Sequence, residues 1–105
     1  MKFVKVVQVE KVPEGGVLAV SLDGLELAVA KIDGQFYVFS DTCTHALCNL
    51  SQGFLEGKVI ECHCHGGKFD VTTGQVLALP PVSPIKTYPV RIENESVLVG
   101  LDAET

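Results

Sequence analysis

Along most of the chain, apolar and polar residues alternate with period two or gather into short Val-, Ile-, Leu- and Phe-rich runs. That is the signature of half-buried strands. The pattern predicts strands over Phe3–Val9, Val17–Leu22, Glu26–Ile32, Phe36–Ser40, Lys58–Cys62, Thr87–Ile92 and Ser96–Leu101. Turn residues separate them: Glu14-Gly15-Gly16, Asp23-Gly24, Asp33-Gly34, Glu56-Gly57 and Asn94-Glu95. Asp-Gly between alternating runs is a strong hairpin signal, and two such pairs about ten residues apart predict an antiparallel meander. No segment keeps a helical period over three turns, although a short helical turn near Leu50–Gln52 is compatible with the pattern. The expectation is an all-β fold, a small antiparallel sandwich or open barrel.

The alternation fails in three places. Asp41–Gln52 follows one predicted strand, Cys62–Lys68 follows another, and Leu79-Pro80-Pro81-Val82-Ser83-Pro84 fixes φ and removes backbone donors. Two loops and a stiff third would form a cradle at one end of the β domain. The 105 residues suit one small domain, 1–105, with the cradle at about 41–84. The chain is 47% apolar and 20% charged, which excludes disorder. Its apolar runs fall short of the roughly 18 residues a spanning helix needs. The N-terminus, Met1-Lys2-Phe3-Val4-Lys5-Val6-Val7, alternates like a strand and not like a signal peptide. An unanchored, cytoplasmic and monomeric protein is expected. A net charge of −5 argues against nucleic acid. It suits protein partners with basic patches, or serves solubility alone.

The chemistry lies in the first two interruptions. Cys43-Thr44-His45 and, after sixteen intervening residues, Cys62-His63-Cys64-His65 read as C-x-H and C-x-x-H. Each run offers one thiolate and one imidazole. Two cysteines on one iron and two histidines on the other form the Rieske type of [2Fe–2S] ligation. Neutral imidazoles leave the oxidised centre with a charge of roughly zero, against about −2 with four thiolates, so an electron enters more easily. The rival is a single Zn²⁺ on the same four groups, but structural zinc sites pair like ligands as C-x₂₋₄-C and H-x₃₋₅-H. Here each pair is mixed and the first is unusually tight. His63 fits neither pair and reads as a solvent-facing or interface side chain. No phosphate loop or nucleophile–base pair points to substrate turnover.

The two runs, the following Gly67-Lys68-Phe69-Asp70-Val71-Thr72-Thr73-Gly74-Gln75-Val76, Pro80-Pro81 and Ile85-Lys86-Thr87-Tyr88-Pro89-Val90 together resemble the Rieske ferredoxins. The resemblance runs from the early strands to about Leu101. It implies one [2Fe–2S] cluster, with Cys43 and Cys62 on the inner iron and His45 and His65 on the outer, partly exposed iron. It also implies a covering loop that contains Pro80 and Pro81. Such carriers take electrons from a flavoprotein reductase and deliver them to a terminal, ring-hydroxylating oxygenase. The alternative is a Rieske subunit or carrier of another redox complex, nitrite-reductase-like or archaeal. A zinc-stabilised interaction module stands third.

Cys48 and Cys64 depart from the dioxygenase-type pattern, where these positions usually carry large apolar residues. In register they resemble the Rieske subunits of cytochrome bc complexes, which implies a Cys48–Cys64 disulfide between the loops. Two buried thiols are the plainer reading. Those high-potential subunits also carry serine and tyrosine hydroxyls where this chain has Gly67 and Phe69. Fewer hydrogen bonds to the sulfurs imply a low-potential centre. Loss of an imidazole proton on the outer iron implies a midpoint that falls at alkaline pH. Thr73-Gly74 reads as a structural turn.

Overall fold

The computed structural model describes residues 2–43, 48–64, 66–79 and 83–101. They form eleven strands in three antiparallel sheets. The middle sheet contains β2 (Val17–Leu22), β3 (Leu25–Ile32), β4 (Gln35–Ser40) and β9 (Thr87–Tyr88), in the order β2-β3-β4-β9. Both of its hairpins turn on the expected Asp-Gly pairs. Asp23 and Gly24 have φ of 49° and 85°, and Asp33 and Gly34 have 52° and 79°. Positive φ at both central residues matches the right-handed twist of the flanking strands and explains glycine in second place. The Glu14 carboxylate caps the second turn, accepting from Asp33 N at 2.6 Å and Gly34 N at 2.9 Å.

The terminal sheet, β1-β11-β10, joins both ends of the described chain: β1 (Lys2–Gln8), β11 (Ser96–Leu101) and β10 (Val90–Glu93). The third sheet, β5-β6-β7-β8, consists of Phe54–Glu56, Val59–Glu61, Lys68–Asp70 and Val76–Ala78. β3 carries the unbroken buried run Leu27-Ala28-Val29-Ala30 because both its faces are covered. Leu27 and Val29, with Val38 of β4, pack on Val97 and Val99 of β11. Ala28 and Ala30, with Phe39, pack on Ile60 and Phe69 of the small sheet. The alanines leave room on that face for the larger side chains opposite.

The all-β expectation is met, and its boundaries shift in instructive places. The run expected as one strand over Thr87–Ile92 is two strands in different sheets, divided at Pro89. Proline has no N–H to continue a ladder, so the chain leaves the middle sheet there. The first strand ends at Gln8 and gives way to a 3₁₀ turn over Val9–Lys11. Lys58 and Cys62 flank β6 instead of belonging to it. Strands β5, β7 and β8 were not anticipated. The helical turn near Leu50–Gln52 is present as a single 3₁₀ turn. No helix among the described residues is long and apolar enough to cross a membrane.

Candidate metal centre

Two loops leave the sheets at the same end of the molecule, each beginning at a cysteine. The first departs from β4. Beyond Asp41, Thr42 pairs with Asn49 in an isolated antiparallel bridge, and Cys43 N donates to Cys48 O at 2.9 Å. Leu50 N returns to Asp41 O at 2.7 Å. The second loop departs from β6. Cys62 N donates to Gly67 O at 2.8 Å, and Gly66 N donates back to Cys62 O at 3.0 Å. In both loops the leading cysteine is therefore held by its own N–H, bonded to the carbonyl five residues on. That closure fixes the backbone under each sulfur while leaving the side chain free to ligate.

Cys43 and Cys62 are free thiols, 4% and 1% exposed, packed among Phe39, Leu50, Ile60 and Phe69. The other two cysteines are joined as the Cys48–Cys64 disulfide, with Cα atoms 6.5 Å apart. It ties the first loop to the second across sixteen positions of sequence. The sulfurs of Cys48, Cys62 and Cys64 lie within 4.8 Å of one another. Proximity does not make that trio a metal site, because only a thiolate ligates well and two of the sulfurs are bonded to each other. Among the described residues the thiols left for a metal are Cys43 and Cys62. His45 and His65, the imidazole partners expected from the sequence, lie outside the described residues, as do Pro80 and Pro81. His63 is exposed, its Nε2 3.7 Å from Cys64 Sγ, on the solvent side of the loop as anticipated.

Three supports hold this end together, and sequence reading identified only one of them as a turn. Asp70 anchors the tight turn after β7. Its Oδ1 accepts from Thr72 N at 2.9 Å and from Thr72 Oγ1 at 2.6 Å, and Lys58 Nζ lies 3.5 Å from Oδ2. Burial works to raise the Asp70 pKa, but the Thr72 hydrogen bonds and the nearby lysine outweigh it and hold the carboxyl below its ordinary value. Gly74 closes the same turn and accepts from Ile85 N at 2.9 Å, pinning Ile85 against it. Gly53 lies so close to Glu61 that an added Cβ would collide with the Glu61 carbonyl. Asp41, fully buried, binds Ser51. Neither Gly53 nor Asp41 has a local sequence signal, because each acts on a residue at least eight positions away.

The donor set suits a cluster with mixed ligands. Two buried reduced sulfurs emerge from separate loops, each loop carries a histidine in sequence, and the remaining sulfurs are consumed in a cross-link. The family model for the Rieske [2Fe–2S] domain matches residues 2–89. The chain belongs to the Rieske [2Fe–2S] domain family. Among its Rieske relatives, the naphthalene 1,2-dioxygenase system ferredoxin component of Pseudomonas aeruginosa is 45% identical over 100 residues, 95% of this chain and 96% of that protein. The biphenyl dioxygenase ferredoxin subunit of Pseudomonas sp. strain KKS102 is 47% identical, over 94% of this chain and 92% of its own. The Sphingomonas yanoikuyae B1 ferredoxin has the same Rieske fold, with a TM-score of 0.92 and 39% identity over 96% of this chain and 100% of that one. A further similar structure is a complex of reduced oxygenase and oxidised ferredoxin in carbazole 1,9a-dioxygenase. It matches with a TM-score of 0.87 and 38% identity over 92% of this chain and 91% of that chain. The Rieske cofactor is one [2Fe–2S] cluster, which replaces the zinc alternative.

Proposed function

We propose that this chain is a cytoplasmic one-electron carrier that receives electrons from a flavoprotein reductase and hands them to a terminal oxygenase. The observation that carries the reading is the division of the cysteines: two buried thiols at the necks of matching loops, and two others spent on joining those loops. Cys43 and Cys62 would hold one iron and His45 and His65 the other. When bound, a [2Fe–2S] cluster of this kind supplies a one-electron couple. The chain's own contribution is to fix it. The backbone closures at Cys43 and Cys62 set the direction of both sulfurs, while Phe39, Leu50, Ile60 and Phe69 exclude water from them. Neutral histidine ligands keep the oxidised site near zero charge, so the arriving electron meets less repulsion than among four thiolates.

The oxygenase assignment rests on the similar ferredoxin components of naphthalene and biphenyl dioxygenase systems, and on the similar ferredoxin seen with its oxygenase. Stopped-flow mixing tests it. Protein purified with its cluster should be bleached by a reduced ring-hydroxylating-system flavoprotein and recoloured by an oxidised terminal oxygenase, one electron per chain. A protein that accepts two electrons, or none, would contradict the reading.

A further inference from the structure

We propose that Asp41 is the positioning residue of the first ligand loop and, through Ser51, governs how long the cluster is retained and at what potential it works. The inference rests on the assignment of Cys43 as a ligand. It starts from a difference between the two loops. The second is flanked by a true ladder: β6 and β7 pair antiparallel, Glu61 opposite Lys68, immediately outside Cys62 and Gly67. The first is closed at its mouth by a single isolated bridge, Thr42 opposite Asn49. It leaves β4, whose last residue, Ser40, is paired with Leu27 of β3, and returns into the 3₁₀ turn over Leu50–Gln52.

Asp41 reinforces that single bridge. Its N–H donates to Glu26 O at 2.9 Å, anchoring it beside β3, and its carbonyl accepts from Leu50 N at 2.7 Å. Oδ1 accepts from Ser51 N at 2.6 Å, and Oδ2 accepts from Ser51 Oγ at 2.8 Å. One residue thus holds both arms of the loop, two positions before Cys43 and two positions after Cys48. The side chain is wholly buried. Burying a carboxyl is costly unless its oxygens are hydrogen-bonded, so a group at this depth acts through those bonds. Loosening them would widen the loop mouth and admit water to the Cys43 side. Solvent access favours the more negative, reduced form, so the midpoint should rise while the cluster becomes easier to extract.

The test uses the holoprotein with Ser51→Ala, Asp41→Asn and Asp41→Ala. Ser51→Ala keeps the carboxyl and removes one bond; Asp41→Asn keeps an acceptor for Ser51 N. Glu14→Gln is the control, because Glu14 also takes two backbone N–H groups but at a distant hairpin. Cluster loss to a chelator, midpoint potential and visible circular dichroism are read together with thermal stability. Expected are a several-fold faster loss in Ser51→Ala and Asp41→Asn and about tenfold in Asp41→Ala. Reduced-to-oxidised ratios at the wild-type midpoint should rise about threefold, with Glu14→Gln unchanged in both. Wild-type lifetime and midpoint in Ser51→Ala and Asp41→Asn, or equal shifts in Glu14→Gln, would overturn the proposal even if Asp41→Ala fails to fold. A wild-type protein without a Rieske-type EPR signal, or a Cys43→Ser variant that keeps it, would instead defeat the ligand assignment.

Discussion

Asp70 shows how a single carboxyl can make this fold sensitive to acid. Its folded pKa lies below the ordinary value of 3.8, because Thr72 and Lys58 outweigh the burial that works against them. A depressed carboxyl contributes stability above its unfolded pKa and loses it as pH falls through the folded one. Asp70→Asn should therefore lower thermal stability at neutral pH, and melting curves of the two proteins should converge as pH falls below about 4. Thr72→Ala, which removes one hydroxyl bond to the same oxygen, should cost about 1 kcal/mol. Phe69 and Gly67 illustrate the opposite case, a missing donor. Phe69 is fully buried in the same core cluster as Cys62, and the Gly67 carbonyl holds the Cys62 N–H. Introducing hydroxyls with Gly67→Ser and Phe69→Tyr should raise the midpoint potential in a redox titration, through new hydrogen bonds to cluster sulfur. An unchanged midpoint would remove these positions from the control of potential.

At the scale of elements, the two loops depend on each other. The disulfide closes a 16-residue separation, for which chain-entropy reasoning gives about 3 kcal/mol. Replacing Cys48 and Cys64 together by serine should lower the melting temperature and speed cluster loss, both measurable on the purified protein. Gly53→Ala should act at a second seam, because the new Cβ has no space against the Glu61 carbonyl. Overpacking of this kind typically costs about 1–3 kcal/mol, and chemical denaturation would measure it. The long strands were legible in sequence because Asp-Gly turns and period-two alternation reinforce each other over β2, β3 and β4. Strands β5, β7 and β8 have three residues each, too few to show a period, and exist through pairing with β6 and one another. Pro89 was visible in sequence, but that it moves the chain between sheets depends on where β10 finds its partner, β11.

For the molecule as a whole, architecture follows from a middle sheet covered on both faces, with the ligand loops gathered where β4 and β6 end. Cys43 and Cys62 stood out in sequence as ligand candidates because ligand chemistry restricts residue type and spacing more tightly than packing does, and the fold leaves both as buried thiols. The supports beneath them were not, since Asp41 and Gly53 act through partners brought close only by the fold. Two thiolates and two imidazoles, if they hold the cluster, make its two irons unlike. Mössbauer spectroscopy of ⁵⁷Fe-enriched protein measures this directly. Two quadrupole doublets of equal area are expected, one for iron with four sulfur ligands and one for iron with two nitrogen ligands. A single environment shared by both irons would contradict the ligand assignment.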